Sequence, residues 1–342
     1  MIRHDPPHSP ASIPVIDIGA AASPGLADRQ AVARQIHRAC RDTGFFYIAG
    51  HGVPQSLIDA QFAAAAALFA LPEAARMAVS MALSANSAGY ERIGAQRLDS
   101  QDTTAAAAPP DLKESFQYGM ELPPEHPLAL QRRRGFGHNL WPALPGFRTQ
   151  ALAYRDAMGA LGDRVLALLA LSLDLPEDWF APSYQTPHAM VRLLRYPPQP
   201  APADAPTAPA ANQIGAGAHT DWGGITLLAQ DGLGGLEVRT RDAAWIAATP
   251  VPGTFVVNLG DLMARWTNGI YTSNMHRVRN NHAARDRYAI AHFYSPNPDA
   301  VIAPPANCVT PDRPRQFATC TAAEHLDEMF RRSYGFLPAR AA

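Results

Sequence analysis

Lysine is almost missing from this chain. Its 342 residues carry 29 basic side chains, and Lys113 is the only lysine among them. Any carboxylate-binding site is therefore left to arginine, whose planar fork suits bidentate contact. An excess of charge of one sign is missing too. The balance of 29 basic against 30 acidic residues gives a net charge of -1, with no global pull toward nucleic acid or anionic lipid. Cysteine is scarce. Cys40, Cys308 and Cys320 are too few and too widely spaced for a disulfide framework, and no CxxC pair occurs. Apolar runs are broken by charges well before membrane-spanning length. The N-terminus, MIRHDPPHSPAS, has no apolar core of a signal peptide. The expectation is a reducing, cytoplasmic setting, with no nucleic-acid or membrane partner. Nothing in the sequence sets an oligomeric state.

What is present is apolar and well patterned. Hydrophobic residues make up 47% of the chain, ample for a large core. Residues 1–12 read as a disordered tail. IPVIDIG (13–19) and GFFYIAGHGV (44–53) read as strands, and 28–42, 54–71 and 147–173 as helices with apolar stripes. SQDTTAAAAPP (100–110) and the Pro/Ala-rich stretch 199–213 read as connections. From residue 188 the period shifts to two. HAMVRLLRYPP, ITLLAQ, GLEVRT, AWIAAT, TFVVNLGD, MHRV and RYAIAHFYS follow one another with turn residues between them, which predicts an antiparallel sandwich or barrel. A helix is expected at 321–335. The predicted organisation is an α/β region (13–187) packed on a β core (188–300), with a C-terminal helical extension (301–342), forming one integrated domain.

The stretch GAGAHTDWGGITLL (215–228) carries the chemistry. His219 and Asp221 are two apart, so an extended backbone points both to one face. Non-haem Fe(II) oxygenases use two histidines and one carboxylate and leave the opposite positions open. Zinc accepts the same donors. The second histidine must come from another strand. Among twelve histidines, His276 in SNMHRVRN lies in the β core. His292 could also point into the barrel, whereas His51 reads as a cap of the AGHGV turn. Arg287, 11 residues after His276, begins an alternating strand. A barrel-facing arginine is costly to bury without a carboxylate, so it suits the distal carboxylate of a dicarboxylate cosubstrate. The glycines of DGLGGLEV lead into no helix and read as tight turns rather than a phosphate loop.

With these residues in place, the chain resembles the isopenicillin-N-synthase-like superfamily of Fe(II)/2-oxoglutarate-dependent dioxygenases, and within it the microbial thymine hydroxylases and ethylene-forming enzymes. The resemblance rests on IPVIDI, GFFYIAGHGV, DLKESFQYG, RLLRYPP, GAHTDWGGITLLAQD, GGLEV, VVNLGDLMARWTNG, HRV and RYAIAHFYSPNPD. It implies a mainly β fold: a double-stranded β-helix (jelly-roll) core with flanking helices. It implies Fe(II) on His219, Asp221 and His276, with 2-oxoglutarate and O2 as cosubstrates. Arg287 would take the distal carboxylate, assisted by Tyr196, with Arg192 lining the same site. The expected reaction is hydroxylation of an unactivated C–H of a small metabolite, with release of succinate and CO2.

One departure stands out. The family usually reads Arg-x-Ser, but this chain has Arg287-Tyr288-Ala289. The missing hydroxyl contact is worth about 1 kcal/mol, which keeps a 2-oxoglutarate-independent Fe(II) oxidase (cyclase or desaturase) as an alternative. An ethylene-forming reaction and a non-catalytic binder on the same barrel are further alternatives. By resemblance, the candidate substrate contacts are Glu114, Phe116, Trp222, Trp266, Phe293 and Arg332. For Trp266 and Phe293 core packing is the competing reading, and for Glu114 a salt bridge.

Overall fold

A computed structural model of the chain describes residues 7–96, 98, 110–199 and 214–334. Most of the two connections expected at 100–110 and 199–213 lies outside the described residues. The elements run β1 (Val15–Asp17), α1 (Leu26–Asp42), β2 (Phe45–Ala49), α2 (Gln55–Phe69), α3 (Glu73–Met77), β3 (Gly89–Glu91) and β4 (Glu114–Tyr118). Then come β5 (Met120–Glu121), α4 (Pro127–Leu130), β6 (Phe136–Gly137), α5 (Phe147–Ser172), β7 (His188–Tyr196), β8 (Ala216–His219) and β9 (Ile225–Gln230). The chain continues through β10 (Leu236–Arg239), β11 (Trp245–Ala247), β12 (Phe255–Leu259), α6 (Asp261–Trp266), β13 (His276–Val278) and β14 (Arg287–Ser295). It closes with β15 (Val301–Ile302), β16 (Cys320–Thr321) and α7 (Ala322–Tyr334).

Two sheets face each other, giving the expected jelly roll. The major sheet has the order β1-β2-β12-β9-β14-β7-β4-β3, and the minor sheet β11-β10-β13-β8. Half of the major sheet's strands precede residue 188, so the N-terminal region extends the β core rather than merely capping it. The pleat of the major sheet decides what faces where, because alternate side chains leave on opposite faces. On the outer face Val191, Leu193, Ile290 and Tyr294 join Ile36, Leu161, Leu168 and Leu169 of the covering helices in one core. The long helix α5 comes so close that a Cβ on Gly162 would lie 2.6 Å from the Tyr294 ring, so glycine is what permits this helix–sheet distance. On the inner face Leu194, Tyr196, Ala289 and Ala291 pack with Leu236, Val238 and Val278 of the minor sheet. A cavity opens between the sheets on this inner side.

The same pleat corrects one expectation. His292 does not point into the barrel. It alternates with Ala291 and Phe293, so it lies on the helix side, fully buried and stacked on Tyr294. His51 does cap its turn, accepting a hydrogen bond from the Val53 amide at 3.1 Å. Gly234 and Gly235 both take positive φ (72° and 94°), as tight turns require. Among the described residues no helix is long and apolar enough to cross a membrane.

Candidate metal and cosubstrate site

His219 ends β8, and His276 begins β13 directly opposite it in antiparallel register. Cross-strand neighbours share a face, and the two imidazole centroids are 4.2 Å apart. Asp221 lies just beyond the end of β8, with Oδ1 at 4.0 Å from His219 Nε2 and 3.8 Å from His276 Nε2. All three ligand atoms lie within 4.8 Å of one another, a spacing that one metal ion can span.

Other groups aim these atoms. His219 Nδ1 stands 2.7 Å from the Gly217 carbonyl and His276 Nδ1 3.3 Å from that of Asn274. A carbonyl only accepts, so each Nδ1 carries the proton and each Nε2 lone pair is left for a metal. Asp221 Oδ2 accepts from Thr226 Oγ1 and Asn258 Nδ2, both at 2.6 Å, leaving Oδ1 free. The loop itself is pinned by the start of α6: the amides of Asp261 and Gly260 donate to the carbonyls of Asp221 and Gly224 at 2.7 and 2.9 Å. Burial, and then the adjacent His276, push His219 down to about 3. Burial alone would raise the Asp221 carboxyl, but the two imidazoles and the Thr226 and Asn258 hydrogen bonds together hold it below the usual range. The cluster is thus a desolvated neutral imidazole beside a carboxylate, a donor set that fits a divalent cation.

Arg287 is 2% exposed and lies opposite Tyr196 in the β14–β7 register. Its Nε donates to the Gly234 carbonyl and Nη2 to Gln230 Oε1 at 3.3 Å, while Nη1 is buried with no partner. An orphaned guanidinium nitrogen is costly unless an anion completes it. This fits the carboxylate of 2-oxoglutarate.

The cavity of about 570 Å³ is lined by His219, Asp221, His276, Arg287, Tyr196, Arg192, Ala289, Trp222 and Phe293. All these sequence-derived candidates meet there. Arg192 is held in the wall, donating to Ser115 Oγ at 3.0 Å and paired with Glu91. Three candidates do not reach the cavity. Glu114 and Phe116 sit on the outer face of β4: Glu114 is buried among Arg76, Arg195 and Tyr90, and Phe116 packs on Trp141 and Phe147. Trp266 is core, against Trp179, Phe180 and Tyr184. The Arg332 side chain lies outside the described residues. In their place the cavity takes Lys113, just before β4, Gln117 from the inner face of β4, and His188 and Met190 from β7. Burial and the nearby Arg134 guanidinium lower His188 to about 4, so it is neutral near pH 7. Counting in twos from Arg192 and Tyr196 would have found His188 and Met190.

Comparison with known proteins agrees with this geometry. The 2OG-Fe(II) oxygenase superfamily pattern matches residues 187–296, and the pattern described as "non-haem dioxygenase in morphine synthesis N-terminal" matches 13–144. The chain is 36% identical over 332 residues to the 2-oxoglutarate-Fe(II) type oxidoreductase hxnY of Emericella nidulans, covering 96% of this chain and 92% of that protein. It is similar to a full-length Neurospora crassa protein crystallised with alpha-KG and thymine, with a TM-score of 0.81, 28% identity, and coverage of 94% of this chain and 97% of that one. A 2OG-Fe(II) oxygenase family protein from Caulobacter crescentus gives a TM-score of 0.80 at 30% identity, covering 94% and 99%. The chain belongs to the Fe(II)/2-oxoglutarate-dependent dioxygenases. It is an oxidoreductase whose cofactor is Fe(II) and whose cosubstrate is 2-oxoglutarate.

Proposed function

We propose that His219, Asp221 and His276 hold the Fe(II), that Arg287 grips the distal carboxylate of 2-oxoglutarate, and that the remaining cavity takes a small metabolite whose unactivated C–H becomes C–OH. Bound there, Fe(II), 2-oxoglutarate and O2 supply the oxidising power: the keto acid loses CO2 and becomes succinate, one oxygen atom entering succinate and the other the substrate. The observation that carries this reading is the unpartnered Arg287 Nη1 on the same cavity as the histidine–aspartate cluster.

The chain's own residues bind, orient and exclude water. Two imidazoles and one carboxylate leave the remaining coordination positions to cosubstrate and O2. Tyr196 lies beneath the Arg287 guanidinium, 4.7 Å from ring centroid to Cζ, and offers its π face to the cation at the cavity wall. Ala289 and Ala291 leave the floor between Arg287 and Phe293 open. Trp222, Phe293, Met190 and Leu194 give apolar walls, which strengthen the polar contacts and keep water from the reaction. The relative crystallised with thymine supports a small, flat substrate class.

The test is anaerobically purified protein given Fe(II), 2-oxoglutarate, O2 and a metabolite pool. Succinate should form in step with the loss of one pool component. Substrate-dependent O2 uptake without succinate would contradict the hydroxylase reading.

A further inference from the structure

The single lysine is placed where a cation has a specific task. Lys113 is 6% exposed, at the inner edge of the cavity, and forms an ion pair with Asp111, which is 3% exposed. The other oxygen of Asp111, Oδ1, accepts the Gly217 amide at 3.0 Å. Gly217 in turn presents its carbonyl to His219 Nδ1 at 2.7 Å. A continuous path thus runs from the Lys113 ammonium through one carboxylate and one residue of backbone to an imidazole of the metal cluster.

The strand that carries His219 needs such support. Among the described residues β8 is the edge of the minor sheet, paired with β13 alone, and that pairing is irregular between His276 and Val278. An edge strand leaves one row of amides and carbonyls without a ladder partner. Segment 111–112 supplies one of the missing bonds and one just before the strand: Asp111 takes the Gly217 amide, and the Leu112 amide donates to the Ile214 carbonyl at 3.1 Å. The Asp111 carboxylate can serve there only if its own charge is balanced, since a buried unpaired carboxylate is strongly disfavoured. Among the described residues its ionic partner is Lys113.

We infer that the Lys113–Asp111 pair is a positioning device for the iron ligand His219: it fixes the edge strand β8 so that the Nε2 lone pair points at the metal. The inference rests on the ligand assignment proposed above. Lys113 acts through Asp111 and Gly217 and takes no part in the chemistry. Groups hydrogen-bonded directly to a metal ligand typically change affinity roughly 10- to 100-fold, and Lys113 stands two contacts further out, so the lower end of that range applies.

The test is titration of the full-length apo protein with Co(II) under argon, reading the dissociation constant and the visible ligand-field bands. Lys113→Met should weaken Co(II) at least about tenfold and shift the bands, because one imidazole is no longer held. The double variant Lys113→Met/Asp111→Asn keeps an oxygen facing the Gly217 amide without a stranded charge. It should return to within about threefold of wild type. Should Lys113→Met fail to fold by near-ultraviolet circular dichroism, Lys113→Met/Asp111→Leu takes its place, expected about tenfold weaker than the Asn double variant. Equal affinities for the variants with and without the oxygen acceptor would overturn the inference, as would a folded Lys113→Met that binds like wild type. Wild type failing to bind Co(II), or His219→Ala binding as tightly as wild type, would instead remove the ligand assignment itself and the inference with it.

Discussion

Arg287 and Tyr196 face each other across the β14–β7 ladder, with the guanidinium carbon 4.7 Å from the ring centroid and one guanidinium nitrogen, Nη1, buried without a partner. The sheet therefore holds a cation in place whose hydrogen bonding is incomplete. Arg287→Ala should weaken 2-oxoglutarate by about 2–3 kcal/mol, roughly 30- to 150-fold in Kd, with Co(II) affinity unchanged. Isothermal titration of Co(II) into the apo protein, and then of 2-oxoglutarate into the Co(II)-loaded protein, reads both. Unchanged 2-oxoglutarate affinity would remove Arg287 from the cosubstrate site.

Asp221 depends on two donors from the major sheet. Thr226→Val and Asn258→Leu each strip one 2.6 Å hydrogen bond from Oδ2. Each should weaken the metal about tenfold, and together they should lose more than either alone. Metal content after dialysis against a graded chelator would show it. Full occupancy in the double variant would contradict the role given to these donors.

Glu114 belongs to the fold rather than to the substrate. It is 1% exposed and serves Arg76, Arg195 and Tyr90 together. Glu114→Ala strips Arg76 of its carboxylate, while Arg195 keeps Asp286, and should cost about 3 kcal/mol of stability, with substrate KM in the folded fraction unaltered. A raised KM at unchanged Tm would restore Glu114 to the binding site. Phe293→Ala is expected to behave in the opposite way, raising KM because Phe293 lines the cavity.

The clustering of His219, Asp221 and His276 was legible because its spacing is local: His219 and Asp221 are two apart, and His276 and Arg287 open strands in an alternating β run. β4 was not, because its phase is ambiguous. Lys113 and Glu114 are both charged, and Phe116 and Gln117 adjoin, so composition alone does not say which set faces inward. In a strand, an error of one residue exchanges the two faces completely. Glu114 and Phe116 were named by resemblance alone, with no phase assigned to the strand; they lie on its outer face, and Lys113 and Gln117 line the cavity instead. Trp266 was obscured for another reason. It ends α6, a six-residue helix between β12 and β13 that the strand pattern does not announce, and its ring turns toward Trp179 and Phe180. Glycine-rich 231–238, by contrast, reads as turns from composition, and Gly234 there uses its carbonyl on Arg287.

His292 sets a pH dependence for the fold. Burial lowers it from 6.5 to about 3, and neither ring nitrogen has a partner. Between those two pH values the unfolded chain holds a proton that the folded chain does not, so stability falls as the pH drops from about 6.5 toward 3. His292→Phe removes this titration and two unpaired buried nitrogens. Its Tm should decline less than wild type's between about pH 7 and pH 5. Parallel declines would show that His292 is not responsible.

The central proposal is that one cavity holds Fe(II) on His219, Asp221 and His276 together with 2-oxoglutarate anchored by Arg287. Anaerobic visible spectroscopy tests it most directly, since a 2-oxo acid chelated to Fe(II) gives a charge-transfer absorption that neither component shows alone. Wild-type protein with Fe(II) should develop this absorption on adding 2-oxoglutarate, saturating at one equivalent. His276→Ala should show none, and Arg287→Ala should need far more cosubstrate. Wild type that stays colourless, or His276→Ala that colours like wild type, would contradict the claim.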